Sequence, residues 1–411
     1  MKFKLEPLEK RWVLYDVGNS AFTLLASTVI PIYFNFLAGN AGISDVNYLA
    51  YWGYATSAAT ILVAFLGPVL GSVSDFRGWK KRIFLAVLLT GALGCVFLGF
   101  VSSWLWFLAL FVITRSAYSL SLVVYDSMLT DVTTKERMDE LSARGYAWGY
   151  IGSCVPFLLC LLLVLFYDRL GLTMAGAMTF AFLLTALWWA GLTIPLLRAY
   201  RQKYYVEAEG RAISSSFRNL GSVFGELKKN KKILYFLIAF FFYIDGVYTI
   251  IDMATAYGTA LGFDTAGLLL ALLVTQIVAF PAALAFGRLS RRTAASRLIL
   301  VCIAAYFLIA LYGAGLSEPY QFWILAVCVG TFQGAVQSLS RSYFARIIPP
   351  EKSGEYFGIY DICGKGASFM GTMLVSVVSQ STGSMNLGVG ALTVLFLTGF
   401  LLFLKTEKTG G

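Results

Sequence analysis

The chain has 411 residues, 58% of them hydrophobic and only 13% charged, with a net charge of +10 and a mean hydropathy of +0.74. Soluble domains carry about 25% charged residues, so the composition excludes an ordinary soluble domain and indicates a membrane protein. There is no histidine, no CxxC pair and no nucleotide-binding glycine loop. We therefore expect no enzyme, no cofactor and no metal, and we interpret the six cysteines as packing residues.

Apolar runs bounded by charged or turn residues predict twelve membrane-spanning helices. A span needs about 20 apolar residues, so twelve spans take about 240 residues and leave short loops in a chain of this length. In chain order, the helices are predicted at 12–37, 48–73, 82–102, 104–127, 145–167, 172–196, 233–257, 266–287, 297–316, 320–343, 355–379 and 386–404.

Basic residues are concentrated in alternate connections. The two termini and every second loop carry 29 of the 32 Lys and Arg residues, whereas Arg169 lies in a loop of the opposite side and Arg115 and Lys365 fall within predicted spans. This asymmetry is the positive-inside pattern, so we predict that both termini are cytoplasmic. It also explains the positive net charge without a nucleic-acid partner.

The longest connection divides the chain into two halves. We predict a six-helix bundle at 1–196, a basic cytoplasmic linker at 197–232 and a second six-helix bundle at 233–411. The linker carries nine Lys or Arg residues. Either it lies as an amphipathic helix on anionic lipid, or it is a plain solvated linker.

The loop between the second and third predicted helices reads GSVSDFRGWKKR, residues 71–82. It resembles the cytoplasmic loop signature of the major facilitator superfamily, G-x-x-x-D-x-R-G-x-K/R-K/R. Gly71 lets two helices approach, Asp75 bonds to a neighbouring helix terminus or to an arginine, and Arg77 belongs to the basic run that fixes the orientation. We call this loop the first latch.

The corresponding loop of the second half reads GRLSRRTAASR, residues 287–297, and we call it the second latch. It keeps Gly287 and the basic run but has Arg291 where Asp75 would align. We interpret it as a degenerate copy of the first latch. The partial echo supports two sequence-related halves, as parallel repeats of facilitator transporters require.

Three longer stretches carry a closer resemblance: RWVLYDVGNSAFT at 11–23, YIDGVYTIIDMATAYG at 243–258 and QSLSRSYFARIIPPEKSGEYFGIYDICGK at 337–365. They resemble the "unknown major facilitator" family, which is related to the autophagy-associated vacuolar amino-acid effluxers of fungi. The resemblance implies an all-α fold of twelve transmembrane helices in two bundles, alternating access, and transport of amino acids or similar metabolites. The short central loop favours a bacterial plasma-membrane member.

Three charged residues are predicted at the same depth near the middle of the membrane: Arg115, Asp245 and Lys365. A charge in the hydrocarbon is costly unless it is paired or wetted, so it usually marks a pathway. Arg115 would bind a substrate carboxylate through its planar guanidinium. Asp245 would be the protonatable coupling group, with Lys365 as its neighbouring cation. The alternative is a static ion pair between Asp245 and Lys365 that fixes helix packing.

Further polar residues are candidates for gates. Asp252 lies seven residues after Asp245 on the same helix face, and Asp361 lies four residues before Lys365; we group both with the ion-coupling residues. Asp16 and Asp126 lie near the inner ends of helices 1 and 4. They make inner-gate bonds, or they cap the interface.

Helix 10 and helix 7 supply the remaining candidates for substrate contact. Gln333 and Gln337 share a face of helix 10 and either bind substrate or hold helices together. Tyr243 is a candidate solute contact on helix 7, as are Tyr248 and Tyr257. Arg341 is expected to snorkel to the cytoplasmic surface.

These features predict a proton-coupled transporter of a small polar metabolite, with sodium as an alternative ion. The expected setting is a lipid bilayer, as a multi-pass monomer of the plasma membrane. Two other hypotheses stay open. An exporter of lipophilic compounds would have an apolar cavity indifferent to Arg115, and a non-transporting membrane receptor or scaffold would need no site.

Overall fold

The computed structural model describes residues 3–207, 225, 227–365 and 368–409. In these ranges the chain is almost entirely helical, and the only β-contact is an isolated bridge between Phe76 and Val206. The helices are, in chain order, α1 (Pro7–Leu24), α2 (Ile30–Asn40), α3 (Asp45–Ser74), α4 (Trp79–Leu98), α5 (Trp104–Ser127), α6 (Leu129–Val132), α7 (Met138–Leu165), α8 (Met174–Ala199), α9 (Lys231–Ala260), α10 (Thr265–Leu289), α11 (Ala295–Gly313), α12 (Pro319–Ile347), α13 (Ser353–Lys365), α14 (Ser368–Thr382) and α15 (Met385–Lys408).

Eleven helical segments of the described chain are long and apolar enough to cross a membrane. The first runs from Pro7 to Asn40, because the π-helical turn Leu25–Val29 joins α1 to α2 without a break. The predicted span at 355–379 contains α13 and α14, which lie on either side of residues 366 and 367; these two are outside the described residues. Twelve spans therefore stay a prediction.

The helix starts follow from short polar side chains in the turns. Ser44, Thr173, Asp264 and Ser384 each accept a hydrogen bond from the backbone N–H three residues later, the usual N-cap arrangement. Between the caps, the candidate spans have mean hydropathies of 1.5 to 2.4. Many large apolar side chains point outward, and this pattern suits a lipid solvent.

The helices form two packed halves. In the N-terminal half, up to Ala199, α1 packs on α7 and α8, and α4 packs on α5 and α8. In the C-terminal half, from Lys231, α9 packs on α15, and α10 packs on α12. The halves meet where α3 packs on α13 and where α7 packs on α10 and α12.

The hydrogen bonds and ion pairs between the halves, within the described residues, lie towards one end of the bundle. We call it the closed end; it contains both latches, the start of α7 and the last turns of α12. It is also the end at which α1 begins and α15 finishes. The chain termini and the first segment of the linker therefore share the closed end.

Candidate functional site

The first latch joins the halves through Asp75. Its two carboxylate oxygens accept hydrogen bonds from the backbone N–H groups of Gly354 (2.8 Å) and Glu355 (2.9 Å), at the start of α13. An acid suits this position because a helix N-terminus carries unpaired donors and a positive partial charge. Gly71 faces the backbone carbonyl of Gly354 so closely that no side chain fits between them. Arg77, in contrast, is exposed and pairs with Glu207 at 3.4 Å.

A buried lysine supports the same contact. The Lys80 ammonium lies 3.5 Å from Asp75, 3.6 Å from Asp131, and donates to the Ser353 hydroxyl at 2.8 Å. Lys80 itself is completely buried. Burial raises the pKa of the Asp75 carboxyl to about 6, although Lys80 and the backbone donors of α13 act to lower it.

The second latch works with inverted charges. Arg291 forms an ion pair with Glu140 at the start of α7, in the opposite half. Gly287 lies against Ala143 on the same helix. The second latch is therefore not simply a degenerate copy: it offers a cation to an acid where the first latch offers an acid to helix donors.

Arg341 is the central polar contact of the closed end. Its guanidinium pairs with Asp126 at 2.8 Å and Asp16 at 3.3 Å, two acids of the other half. It lies over the rings of Trp12 (4.7 Å) and Tyr146 (4.4 Å). The prediction that Arg341 snorkels to the surface is wrong: only 2% of the residue is exposed, because two carboxylates and two aromatic faces compensate its burial. Asp16 and Asp126 are thus in the geometry of an inner gate.

The start of α7 carries a further pair across the halves. Asp139 pairs with Arg346 at 2.6 Å and accepts a hydrogen bond from Ser342, also at 2.6 Å. Both partners lie on α12, in the same turns as Arg341. The last two turns of α12 therefore hold the N-terminal half at the closed end.

The amino-terminal segment covers an arginine cluster at this end. The ring of Phe3 lies 4.2 Å from the guanidinium of Arg137, 5.0 Å from that of Arg144 and 5.2 Å from that of Arg291. Arg291 comes from the second latch, so the segment touches both halves.

Each half also supplies one charged side chain from within a predicted span. Arg115 on α5 and Asp252 on α9 interact electrostatically, and the Arg115 guanidinium also lies 5.8 Å from the ring of Tyr118. Arg115 is half-buried, and Asp252 is among the exposed side chains. At 1.5 Å per residue, Arg115 lies about 16 Å along α5 from Trp104, so it is well inside the span. Tyr248, one turn before Asp252, is half-buried and interacts with Asp252 and Asp126.

Asp245 does not lie on the wall of an open cleft. It is completely buried, and one carboxylate oxygen accepts hydrogen bonds from the Gly371 backbone N–H at 3.0 Å and the Thr249 hydroxyl at 3.5 Å. Gly371 lies on α14, so this carboxylate joins α9 to α14. The expected neighbour, the Lys365 side chain, lies outside the described residues. Asp361, on α13, interacts electrostatically with Tyr248 and Asp126.

The polar residues of α12 and the tyrosines have structural partners. The Tyr150 hydroxyl donates to Gln337 at 2.6 Å across the halves, in keeping with the alternative that Gln337 holds helices together. Gln333 is buried beside it. Tyr243 is completely buried and hydrogen-bonds Ser340 at 2.6 Å, so the prediction that it contacts substrate does not hold in this conformation.

A separate cavity of about 250 Å³ lies wholly within the C-terminal half. Its walls are mainly apolar, with Met253, Leu325 and Val389 among them, and Thr249 is one of its few hydroxyls. All the described residues that line it belong to the C-terminal half. A solute that passes between the halves would not enter this cavity, so we place the candidate site at Arg115 and Asp252 instead.

The fold agrees with solved transporters along nearly the whole chain. The proton:xylose symporter XylE superposes with a TM-score of 0.74 at 10% identity, covering 97% of this chain and 94% of that one. The transporter FucP in its outward conformation gives 0.73 at 14% identity, covering 98% and 99%. A bacterial homologue of the iron transporter ferroportin gives 0.71 at 13% identity, covering 98% of both. The chain therefore has the fold of these proteins, which is that of the major facilitator superfamily.

Sequence comparison places the chain within that superfamily. The MFS-type transporter YxiO of Bacillus subtilis (strain 168) is 39% identical over 399 residues, covering 96% of this chain and 93% of that protein. Autophagy-related protein 22 of Coccidioides immitis (strain RS) is 24% identical over 454 residues, covering 89% and 74%. The family described as "Vacuole effluxer Atg22 like" matches residues 9–410, and the chain belongs to it.

Sequence reasoning missed several residues of the closed end. Arg341 lies four residues after Gln337, which lies four after Gln333, so the three share one helix face. That stripe was a readable sign that Arg341 faces the other half rather than the surface. Asp131 and Glu140 had no comparable signal, because acids near a predicted helix end look like ordinary surface residues.

Proposed function

We propose that this transporter moves a zwitterionic metabolite of the amino-acid class by alternating access, coupled to a proton. The observation that carries the proposal is the pair of Arg115 and Asp252. One charge comes from each half, both lie beyond the gate at Arg341, and together they offer a cation and an anion to one solute. The outward-facing conformation of the bacterial ferroportin homologue and the outward conformation of FucP support an orientation in which the closed end is cytoplasmic.

The pair matches both ends of a zwitterion. The Arg115 guanidinium can hold a carboxylate with two parallel hydrogen bonds, and the Asp252 carboxylate can accept from an ammonium. In the absence of solute the two side chains compensate each other. A solute with both charges replaces that interaction without leaving either residue unpaired, whereas an apolar compound would leave both unpaired.

Asp245 is the candidate proton site. It is buried, its second carboxylate oxygen has no hydrogen-bond partner in the described chain, and its first oxygen accepts a hydrogen bond from the backbone of α14. Protonation would weaken this hydrogen bond, because a neutral acid is a poorer acceptor than a carboxylate. Movement of α14 relative to α9 would then depend on the proton.

The experiment is uptake into liposomes with an imposed pH gradient, screening amino acids. We expect Arg115→Ala and Asp252→Asn each to lower uptake by roughly 10- to 100-fold, the loss expected for one charged hydrogen-bonded contact. Arg115→Lys retains the charge without the planar fork and should be intermediate. Arg169→Ala, which removes an arginine beside Phe166 and far from the pair in sequence, is the matched control.

Asp245→Asn separates coupling from binding. We expect exchange of labelled for unlabelled solute to continue and accumulation driven by the pH gradient to stop. Full activity of Arg115→Ala and Asp252→Asn would discard the site, and retained accumulation in Asp245→Asn would discard the proton role. Transport of lipophilic compounds alone, unaffected by Arg115→Ala, would favour an exporter of that class.

A further inference from the structure

The first residues of the linker, 200–207, fold back over the first latch; we call this segment the strap. Gln202 accepts a hydrogen bond from the Gly78 backbone N–H at 2.9 Å and donates to the Ser74 carbonyl at 3.2 Å. The Val206 N–H donates to the carbonyl of Asp75 at 2.9 Å, and the Val206 carbonyl accepts a hydrogen bond from the Arg77 N–H. The strap is therefore joined to the latch by backbone and side-chain hydrogen bonds.

The strap also surrounds a buried acid. One oxygen of Asp131 accepts hydrogen bonds from the backbone N–H groups of Lys203 and Tyr204, both at 3.0 Å, and the other accepts from the Tyr200 hydroxyl. Asp131 is completely buried. Three of its donors thus come from the linker, and the fourth partner is the Lys80 ammonium at 3.6 Å.

Lys80 is shared between two acids. It lies almost equally far from Asp131 and Asp75, and it reaches the opposite half through the Ser353 hydroxyl. A buried carboxylate that loses hydrogen-bond donors attracts the remaining cation more strongly. If the strap left Asp131, Lys80 would move towards Asp131, away from Asp75 and Ser353.

We infer that Asp131 is a positioning residue through which the strap controls the first latch. While the strap is bound, its donors satisfy Asp131 and leave Lys80 on Asp75 and the start of α13. When the strap is released, Asp131 draws Lys80 away and the closed end opens more readily. The linker is thereby part of the lock between the halves as well as their connection. This inference does not depend on the solute or on the proton.

The test measures opening of the closed end through a cysteine introduced by Ser338→Cys. Ser338 is completely buried between the halves, and its carbonyl accepts a hydrogen bond from Ser142. A polar thiol reagent should label this cysteine only when the closed end opens. The labelling rate of the parent chain, whose six cysteines are buried or half-buried, is subtracted as background.

Two variants weaken the contact between the strap and Asp131, one from each side. Tyr204→Pro removes one backbone donor to Asp131, and Asp131→Asn removes the charge that competes for Lys80. We expect Tyr204→Pro to raise the labelling rate about tenfold, equivalent to about 1.4 kcal/mol. Arg201→Pro is the matched control, because Tyr200 already has the extended backbone that a following proline requires.

The decisive comparison is the double variant. If the strap acts through Asp131, Tyr204→Pro should change the labelling rate little in the Asp131→Asn background. Independent structural damage would instead change the rate by the same factor in both backgrounds. Additive effects, or wild-type labelling in Tyr204→Pro, would overturn the inference. Glu9→Gln removes another buried acid, which pairs with Arg137 inside the N-terminal half, and should leave labelling unchanged. If Asp131→Asn does not fold, Tyr200→Phe removes one donor more gently, and a rate equal to the parent's would count against the inference.

Discussion

The two latches occupy corresponding loops of the two halves but hold the closed end by different physics. In the first, the acceptor is a buried acid, Asp75, and the donors are backbone groups and a buried lysine. In the second, the side chain of Arg291 is 38% exposed and pairs with Glu140. Burial makes the first contact strong and costly to break, and water screens the second. The halves are thus related in architecture but unequal in how they lock.

The largest expected effect is the loss of the first latch in Asp75→Ala. Lys80 would keep only Asp131 as its acid, and the donors at the start of α13 would lose their acceptor. Breaking a buried charged contact costs about 3–5 kcal/mol, so we expect the closed state to be strongly disfavoured. Labelling of the cysteine from Ser338→Cys measures the shift. Unchanged labelling in a folded variant would show that the first latch does not hold the halves.

The glycines of the two latches give a matched comparison. A Cβ at Gly71 would meet the backbone carbonyl of Gly354, whereas a Cβ at Gly287 would lie 2.6 Å from the side-chain carbon of Ala143. Overpacking costs about 1–3 kcal/mol, and backbone yields less readily than a side chain. We expect Gly71→Ala to open the closed end more than Gly287→Ala, measured in the same labelling assay. The reverse order would mean that the second latch is the tighter contact.

The first latch should itself respond to pH. The pKa of Asp75 is about 6 in the closed state, above the ordinary value of 3.8 that applies once the carboxyl is exposed to water. The closed state therefore binds the proton more tightly, and lowering the pH through 6 favours it over the open state. Between about pH 7.5 and pH 5 we expect labelling to slow by about tenfold. This part of the response should be lost in Asp75→Asn and persist in Arg291→Gln; a response of unchanged size in Asp75→Asn would belong to another group, such as Asp245.

The smallest effect is expected at the second latch. Arg291→Gln should shift the equilibrium by less than about 1 kcal/mol, because the partly exposed pair is screened and Glu140 keeps Arg144 at 3.1 Å. Its contribution should decline with added salt, unlike that of Asp75. Labelling at low and high ionic strength checks both points. An effect as large as that of Asp75→Ala would remove the distinction between the latches.

Much of the fold could be read from the sequence because a bilayer imposes simple rules. Apolar runs of span length predicted the helices, and the spacing of Gly71, Asp75 and Arg77 predicted the first latch. The start of α13 at Ser353, two residues before the predicted start at 355, could not be predicted, because its first backbone N–H groups are bound by Asp75 of the other half.

The site was harder to predict than the fold because depth along a helix does not give direction. Arg115, Asp245 and Lys365 are predicted at one depth, yet Asp245 is buried and bonded to α14, and Arg115 interacts with Asp252 instead. Contacts with other helices determine whether a charged side chain lines the solute pathway or a packed helix interface. Arg341 illustrates the same limit, since the two acids that compensate it are more than 200 residues away in sequence.

The aromatic ring at position 3 also affects how this protein can be handled. Because Phe3 is inserted among guanidinium groups from both halves, a bulky fusion placed directly before it would compete for the same crevice. A purification tag there would disturb the contact between the halves and shift the equilibrium between the closed and open states. Samples intended to report the resting equilibrium should leave this segment unmodified or separate it from any tag by a flexible spacer.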